Sequence, residues 1–418
     1  MLKIDGIRFD AERLRRLFGE LSGRREFRSC YGKLYAVCLS HPFDVVGFVQ
    51  FAREQGASVL LLHESTPFES AAAAARQAGA HYLIYGEFDR IAELAADADG
   101  QAPALCQFSS GTTGPPKLIR RSWEEVDREV AAYNERLDAP DAQPVVCVPV
   151  SHSFGLISGV LSAIARRAEP HIVRDKNPKF AVRTIRETPR ALVYAVPFLH
   201  HLYETLGGGR PLGSELVSSG APLTEALLER LRRGSQRIWQ QYGCSEAGCI
   251  ALGGDPSSPF DVGPPLGHQR LSFLPLAADG PNSGLREIVA ASGDRVVHTG
   301  DIGFADASGS LSVTGRSDDL INVAGLKVVP SEVESVIARM EGVAEAVVYR
   351  AKHSVWGEAV QALVVASPGI REQEIKAWCV RHLPGYKVPG LIRLVDEIPK
   401  PPSGKISRKL LQEQEESL

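Results

Sequence analysis

At 418 residues the chain is too long for one ordinary hydrophobic core and predicts a large domain followed by a smaller one. Charged side chains make up 23% of it and the formal net charge is −3, so no basic excess points to nucleic acid and small-molecule chemistry leads. Seven cysteines, at positions 30, 38, 106, 147, 244, 249 and 379, are scattered, odd in number and free of C-x-x-C pairs, which argues against a disulfide framework and a zinc knuckle and implies a reducing compartment.

The N-terminal M-L-K-I-D-G-I-R-F-D has no long apolar stretch, and runs such as V-L-L-L at 59–62 are far too short for a bilayer. The expectation is a cytoplasmic protein with no integral membrane segment. Arginines 13, 15, 16, 24 and 25 would suit a membrane surface, but Leu14, Leu17, Phe18 and Leu21 recur at helical spacing and predict a helix docked on the protein body. From residue 34 the runs L-Y-A-V-C-L, H-P-F-D-V-V-G-F-V-Q-F-A-R-E-Q-G, S-V-L-L-L-H, an Ala-rich helix over 68–79 and H-Y-L-I-Y-G spell βαβαβ, hence a parallel sheet covered by helices.

Next comes F-S-S-G-T-T-G-P-P-K-L-I-R-R-S, Phe108 to Ser122. Glycines let backbone N–H groups converge on anionic oxygens, and Ser, Thr and Lys add donors, so the stretch reads as a phosphate grip; taken alone, a flexible surface loop is the alternative. The spacing of Gly111, Gly114 and Lys117 is not that of the common P-loop. Further strands are expected in V-V-C-V-P-V (145–150), P-H-I-V (170–173), A-L-V-Y-A-V (191–196) and E-L-V-S-S-G (215–220), alternating with helices. Between 250 and 316 turn-rich sequence with R-E-I-V-A-A, R-V-V-H-T and L-S-V-T predicts a small β-subdomain. After G-R-S-D-D at 315–319 a module of about a hundred residues follows: a helix from Ser331 into Met340, strands A-E-A-V-V-Y and A-V-Q-A-L-V-V, a helix over 371–382 and a strand near 391–395.

Five motifs appear in one order: S-S-G-T-T-G-P-P-K at 109–117, S-G-A-P-L at 219–223, Y-G-C-S-E at 242–246, T-G-D at 299–301, and G-R-S-D-D-L-I-N-V-A-G-L-K-V-V-P-S-E-V-E at 315–334 with P-S-G-K-I-S-R at 402–408. This series resembles the adenylate-forming (AMP-binding) superfamily of acyl-CoA synthetases, adenylation domains and firefly-type luciferases, from about residue 34 to 410. The resemblance implies an α/β fold: a large multi-subdomain N-terminal domain over 1–317, with βαβ parallel sheets plus a small β-subdomain, and a small mobile α+β C-terminal domain over 318–418. It implies an ATP- and Mg²⁺-dependent ligase that makes an acyl-AMP, releases pyrophosphate and passes the acyl group to the phosphopantetheine thiol of CoA or of an acyl or peptidyl carrier protein.

Residue by residue, the resemblance puts Ser109, Ser110, Gly111, Thr112, Thr113, Gly114 and Lys117 on the β- and γ-phosphates. Gly220, Ala221 and Pro222 would line the adenine slot with Tyr242 against the base, beside Gly243 and Ser245. Asp301, helped by Arg316, would take the ribose hydroxyls, and Glu246 would hold Mg²⁺; the plain alternative for Glu246 is an acid at a helix N-terminus. Lys405 would bridge carboxylate and α-phosphate, the alternative being a solvated loop lysine; with Thr113, Glu246 and His152 it makes up the catalytic set. Asp318 would be the hinge that swings Lys405 away after adenylation, and Gly325 and Lys327, on a V-A-G-L-K-V strand, would border a pantetheine tunnel.

His152, Ser153, Phe154 and Gly155 are assigned to the acyl pocket with Gly243 and Gly248; a core histidine is the alternative for His152. Relatives that take α-amino acids place an acid after the aromatic position; Ser153 stands here, so a non-amino carboxylic acid is expected. P-K-L-I-R-R-S is similar to the P-K-L-I-x-R-T-H of aryl-acid enzymes, which puts aryl acids ahead of medium-chain fatty acids. Alternatives are an inactive adenylate-binding regulator, a stand-alone amino-acid adenylating enzyme, or a luciferase-like oxidase. The phosphate loop begins at 109, earlier than is usual in the family, so a trimmed N-terminal subdomain is expected, leaving the acyl pocket open or covered by a second subunit in a homodimer.

Overall fold

The computed structural model describes residues 1–95, 102–109, 116–208, 212, 214–276, 284–353, 356–399, 408, 411 and 412. Two compact units emerge. One comprises Met1–Ser219, Gly234–Leu252 and Leu266–His268, the other Gly220–Arg233, Gly253–Pro265 and Gln269–Leu418.

The first unit is built on two sheets. In the six-stranded one, Leu34–Leu39 pairs in parallel with Ser58–Leu61 and Tyr82–Gly86, as the βαβαβ reading requires, and Ala104–Phe108 adds in parallel beyond Ser58–Leu61. Every residue of Leu34–Leu39 is buried. The twofold period of a strand sends Tyr35, Val37 and Leu39 to one core, and Leu34, Ala36 and Cys38 to another that contains Ala71, Ala72 and Ala75 of the helix Phe68–Gln77. The helix Pro42–Glu54 starts with proline at its first position and packs Phe48 and Phe51 against Phe27, ring centroids 5.5 and 6.1 Å apart. The amphipathic helix Ala11–Gly23 is docked as expected, with Leu17 and Leu21 buried.

The eight-stranded sheet runs in the order Gly248–Gly254, Arg237–Cys244, Glu215–Ser218, Ala191–Ala195, Gln143–Val146, His171–Ile172, Leu2–Ile4, Ile7–Phe9. From Arg237–Cys244 to Leu2–Ile4 each pairing is parallel. The first nine residues, read above only for their lack of a long apolar stretch, include a hairpin that extends this sheet: Leu2–Ile4 pairs with His171–Ile172 and, in the antiparallel sense, with Ile7–Phe9. The V-V-C-V-P-V run leaves the sheet after Val146, since Pro149 has no N–H to donate to a ladder.

In the second unit, Asp261–Gly263, Leu311–Arg316, Arg295–Ala305, Arg286–Ser292 and Arg270–Pro275 form one antiparallel sheet. A second sheet holds Leu326–Val328, Ile321–Val323, Gly357–Ala366 and Val343–His353, with Leu391–Leu394 added in parallel to Gly357–Ala366. The helices Pro330–Ala338 and Glu372–His382 bury Val333, Ile337, Ile375 and Cys379 in the core beside it. V-A-G-L-K-V is a hairpin rather than one strand: Ala324 and Gly325 take φ of 50° and 91°, the left-handed pair of a two-residue turn between Ile321–Val323 and Leu326–Val328.

The helix Trp123–Leu137 begins with a capping box, in which Ser122 Oγ accepts from Glu125 N–H at 3.1 Å while the Glu125 carboxylate accepts from Ser122 N–H at 2.7 Å. Ser122→Ala is expected to cost about 1 kcal/mol of stability, read as a lower urea midpoint with unchanged slope.

Candidate active site

Parallel pairing puts the carboxyl ends of Gln143–Val146, Glu215–Ser218 and Arg237–Cys244 on one edge of the eight-stranded sheet. These ends lead to H-S-F-G, S-G-A-P-L and Y-G-C-S-E respectively. Such an edge is where open α/β sheets place ligands.

The phosphate-grip stretch lies between antiparallel strands Ala104–Phe108 and Leu118–Ser122. Its neck is tied twice: Ser109 N–H donates to Lys117 O at 2.9 Å, and Lys117 N–H donates to Ser109 Oγ at 3.0 Å. Lys117 is exposed. Ser110, Gly111, Thr112, Thr113 and Gly114 lie outside the described residues, as does Lys405.

His152 is exposed, which sets aside the core-histidine alternative, and its ring lies 6.1 Å from that of His63. Ser153 Oγ donates to Gln107 Oε1, and Gln107 Nε2 donates to Ser151 O at 3.1 Å, so this loop is bonded to the strand that leads into Ser109. Phe154 packs on Tyr194 with ring centroids 5.8 Å apart. Phe154–Leu161 is wound as a π-helix, a form often found at functional sites. Gly155 is buried, and a Cβ there would lie 2.3 Å from Pro149 O, so the absent side chain serves close packing of this helix on the loop before it.

Ser245–Ala247 form the turn between Arg237–Cys244 and Gly248–Gly254. Glu246 thus sits on a strand-to-strand turn, not at a helix N-terminus, and its partly exposed carboxylate enters no hydrogen bond or ion pair among the described residues. A partnerless acid on a turn fits a hard cation. A Cβ at Gly243 would come within 2.2 Å of Gly248 O, so the two arms of this hairpin touch backbone to backbone.

Sequence reasoning missed what lies beneath. Arg121, on Leu118–Ser122, pairs with Glu129, on Trp123–Leu137, and both are almost completely buried. The second Glu129 oxygen accepts from Cys249 N–H at 2.9 Å. Burial, with Glu129 adding to it, pushes the Cys249 thiol well above its ordinary pKa, so it stays protonated. Gly248, assigned above to the acyl pocket, takes φ +72°, and a Cβ there would lie 2.2 Å from Glu129 Oε2 and 2.5 Å from Arg121 Nη1. On that side its missing side chain makes room for the ion pair, not for an acyl group. A buried pair eight residues apart in sequence, joined to a residue past 240, carries no local signature.

In the second unit T-G-D is a bulge: Gly300 at φ +69° donates its N–H to Glu287 Oε1 at 3.1 Å, while Thr299 Oγ1 donates to Ile288 O at 2.7 Å and accepts from Asp301 N–H at 3.1 Å. The threonine and glycine aim Asp301, whose Oδ1 lies 3.1 Å from Arg316 Nη1 across the ladder that pairs these two residues. Gly220, at φ +92°, Ala221 and Pro222 form an exposed stretch. Asp318 lies in the short 3₁₀ turn Ser317–Asp319, exposed, its carbonyl accepting from Arg350 Nη2. Gly325 donates its N–H to Asn322 Oδ1 at 2.9 Å; Lys327 follows on Leu326–Val328.

Arg408, which sequence reasoning left without a role, is tied to the turn that holds Asp318: it pairs with Asp319 and Glu334 at 2.7 Å each and donates Nε–H to Val348 O at 2.9 Å. Burial alone would lower the Arg408 pKa, but Glu334 and Asp319 together raise it, so the guanidinium stays charged. No group of three or more His, Cys, Asp and Glu able to hold a metal occurs among the described residues, and no helix there is long and apolar enough to cross a membrane.

Gly248→Ala is expected to destabilise the protein by about 1–3 kcal/mol, through a strained φ and displacement of the Arg121–Glu129 pair, measured by chemical unfolding.

Comparison with known proteins agrees with this arrangement. The family model "AMP-binding enzyme" matches residues 46–297, and "AMP-binding enzyme C-terminal domain" matches 332–405. A 3,4-dihydroxybenzoate–aryl-carrier protein ligase of Bacillus anthracis is 46% identical over 389 residues, 93% of this chain and 92% of that one. A 2-succinylbenzoate–CoA ligase of Listeria monocytogenes serotype 4b is 28% identical, covering 76% of this chain and 74% of that one. In fold, the chain is similar to o-succinylbenzoate CoA synthetase from Bacillus subtilis, solved with its acyl-adenylate intermediate, at a TM-score of 0.82, 21% identity and coverage of 98% and 94%. With its ordered motif loops at strand ends and both family models matched in sequence order, the chain belongs to the AMP-binding enzyme family.

Proposed function

We propose that this enzyme is an ATP-dependent acid–thiol ligase that joins a hydroxylated aromatic acid to AMP and hands it to the phosphopantetheine thiol of a carrier protein. The observation that carries this reading is the near end-to-end similarity to the Bacillus anthracis ligase, at 46% identity. Ser153, where amino-acid-activating relatives place an acid, supports a substrate without an ammonium group.

The chemistry asks for charge control more than for bases. A carboxylate oxygen attacks the α-phosphorus, the bond to the bridging oxygen breaks, and pyrophosphate leaves with the electron pair; the thiol sulfur then attacks the acyl carbon, AMP departs, and the thiol proton goes to solvent. Lys117 and the donors of the 109–114 stretch would hold the terminal phosphates. Asp301, buried and set by Thr299 and Arg316, would accept from the ribose hydroxyls. Glu246 would hold Mg²⁺, which, when bound, neutralises phosphate charge. Lys405 would stabilise the crowded α-phosphate, and a turn at Asp318, at the proposed 317/318 boundary, would exchange it for the thiol acceptor.

In an ATP–pyrophosphate exchange assay, dihydroxybenzoates are expected to exchange strongly, medium-chain fatty acids weakly and α-amino acids at background; no exchange with any acid would overturn the reading in favour of an adenylate-binding regulator. Offering CoA and a pantetheinylated carrier in parallel with the best acid decides the acceptor, with the carrier expected to win. Lys405→Ala is expected to lower acyl-AMP formation about a thousandfold while thioester formation from supplied acyl-AMP stays largely intact. Equal loss in both half-reactions, each followed separately, would contradict its role.

A further inference from the structure

We infer that the buried Arg121–Glu129 pair is a positioning device that sets Glu246 in register with the strand leaving the phosphate grip, an inference resting on the adenylation reading above. Arg121 lies four residues beyond Lys117 on Leu118–Ser122. Glu129 is held two turns into the capped helix that follows directly, where it meets Arg121 with one oxygen and Cys249 N–H, at 2.9 Å, with the other. Cys249 is the third residue after Glu246. One carboxylate therefore ties together the two backbone segments that carry the cation for the phosphates and the proposed ligand for their metal.

The energetics favour a registering role over simple stabilisation. Burying two charges costs several kcal/mol each, so a pair of apolar side chains of similar volume would hold these elements together at least as well. Arg121 Nη1 is itself buried without a hydrogen-bond partner among the described residues. What an apolar pair cannot supply is a directional acceptor for the Cys249 N–H. The left-handed glycine at 248, with no Cβ, lets that backbone come close enough to use it. Residues that orient a metal ligand from behind typically change metal affinity tenfold to a hundredfold when removed.

The test uses the intact enzyme and three readouts: thermal midpoint without ligand, binding of MgATP by calorimetry, and pyrophosphate exchange as a function of Mg²⁺. Glu129→Gln leaves Arg121 buried and uncompensated, so a fall in midpoint is expected together with weaker MgATP. The double variant Arg121→Met with Glu129→Leu removes both charges and keeps volume. It is expected to fold with a midpoint near that of the parent, to bind MgATP at least tenfold more weakly and to need at least tenfold more Mg²⁺ for half-maximal exchange, with the KM for the acid within about twofold. A double variant that folds and binds MgATP as the parent does overturns the inference, as does failure of both variants to fold, since the pair would then be structural only. Failure of the parent itself to bind MgATP would instead sink the adenylation reading, so the two ideas fall separately.

Discussion

A parallel sheet buried on both faces leaves polar chemistry almost nowhere to go except its strand ends. In Leu34–Leu39 no residue reaches solvent, and Ala191–Ala195 is buried throughout. The backbone hydrogen bonds are satisfied within the ladder, and side chains on both faces are committed to packing. Loops leaving the carboxyl ends are free of those demands. Because every pairing from Arg237–Cys244 to Gln143–Val146 is parallel, loops far apart in sequence emerge from one edge. The loops that begin at these strand ends, H-S-F-G and Y-G-C-S-E among them, can carry polar groups without disturbing the packing of the sheet.

Close approach is the second recurring device. At Gly155, Gly243 and Gly248 a Cβ would overlap a carbonyl or a buried side chain, and each glycine falls within or beside a motif loop. Glycine in these loops answers two needs at once: converging N–H groups where a phosphate is expected, and backbone packed against backbone where the loop must stay rigid. Rigidity also comes from charge. Arg121 with Glu129 is paired away from solvent, and Arg408 with Glu334 and Asp319 is paired half-buried, each beside a segment that carries proposed site residues. Buried pairs are weak contributors to net stability but narrow the set of acceptable geometries.

Much of the architecture was legible because its elements carry local patterns. The strand and helix runs from 34 to 86, the turn-rich β-sheet before 316 and the helices near 331 and 372 follow from periodicity and turn residues, and the ordered motifs named the family. The N-terminal hairpin escaped notice because three-residue strands have too short a period to read and take their stability from pairing with His171–Ile172. The end of the strand at Val146 and the turn inside V-A-G-L-K-V likewise depend on neighbours. Glu246 read equally well as an acid at a helix start, since nothing in S-E-A-G says which element follows.

By itself the sequence determined which residue types are available and in what order: glycines and hydroxyls ahead of Lys117, an aspartate after Thr-Gly, a serine where an ammonium-binding acid would stand. Those choices define the class of chemistry, because charge, donors and chain freedom belong to individual residues. Only the tertiary structure decided that Glu129 reaches both Arg121 and the backbone of Cys249, that Gly248 yields its space to them, and that Arg408 is paired with Asp319. Contacts between residues distant along the chain are fixed by the packing of whole elements, a property of the folded ensemble of side chains that no short window contains.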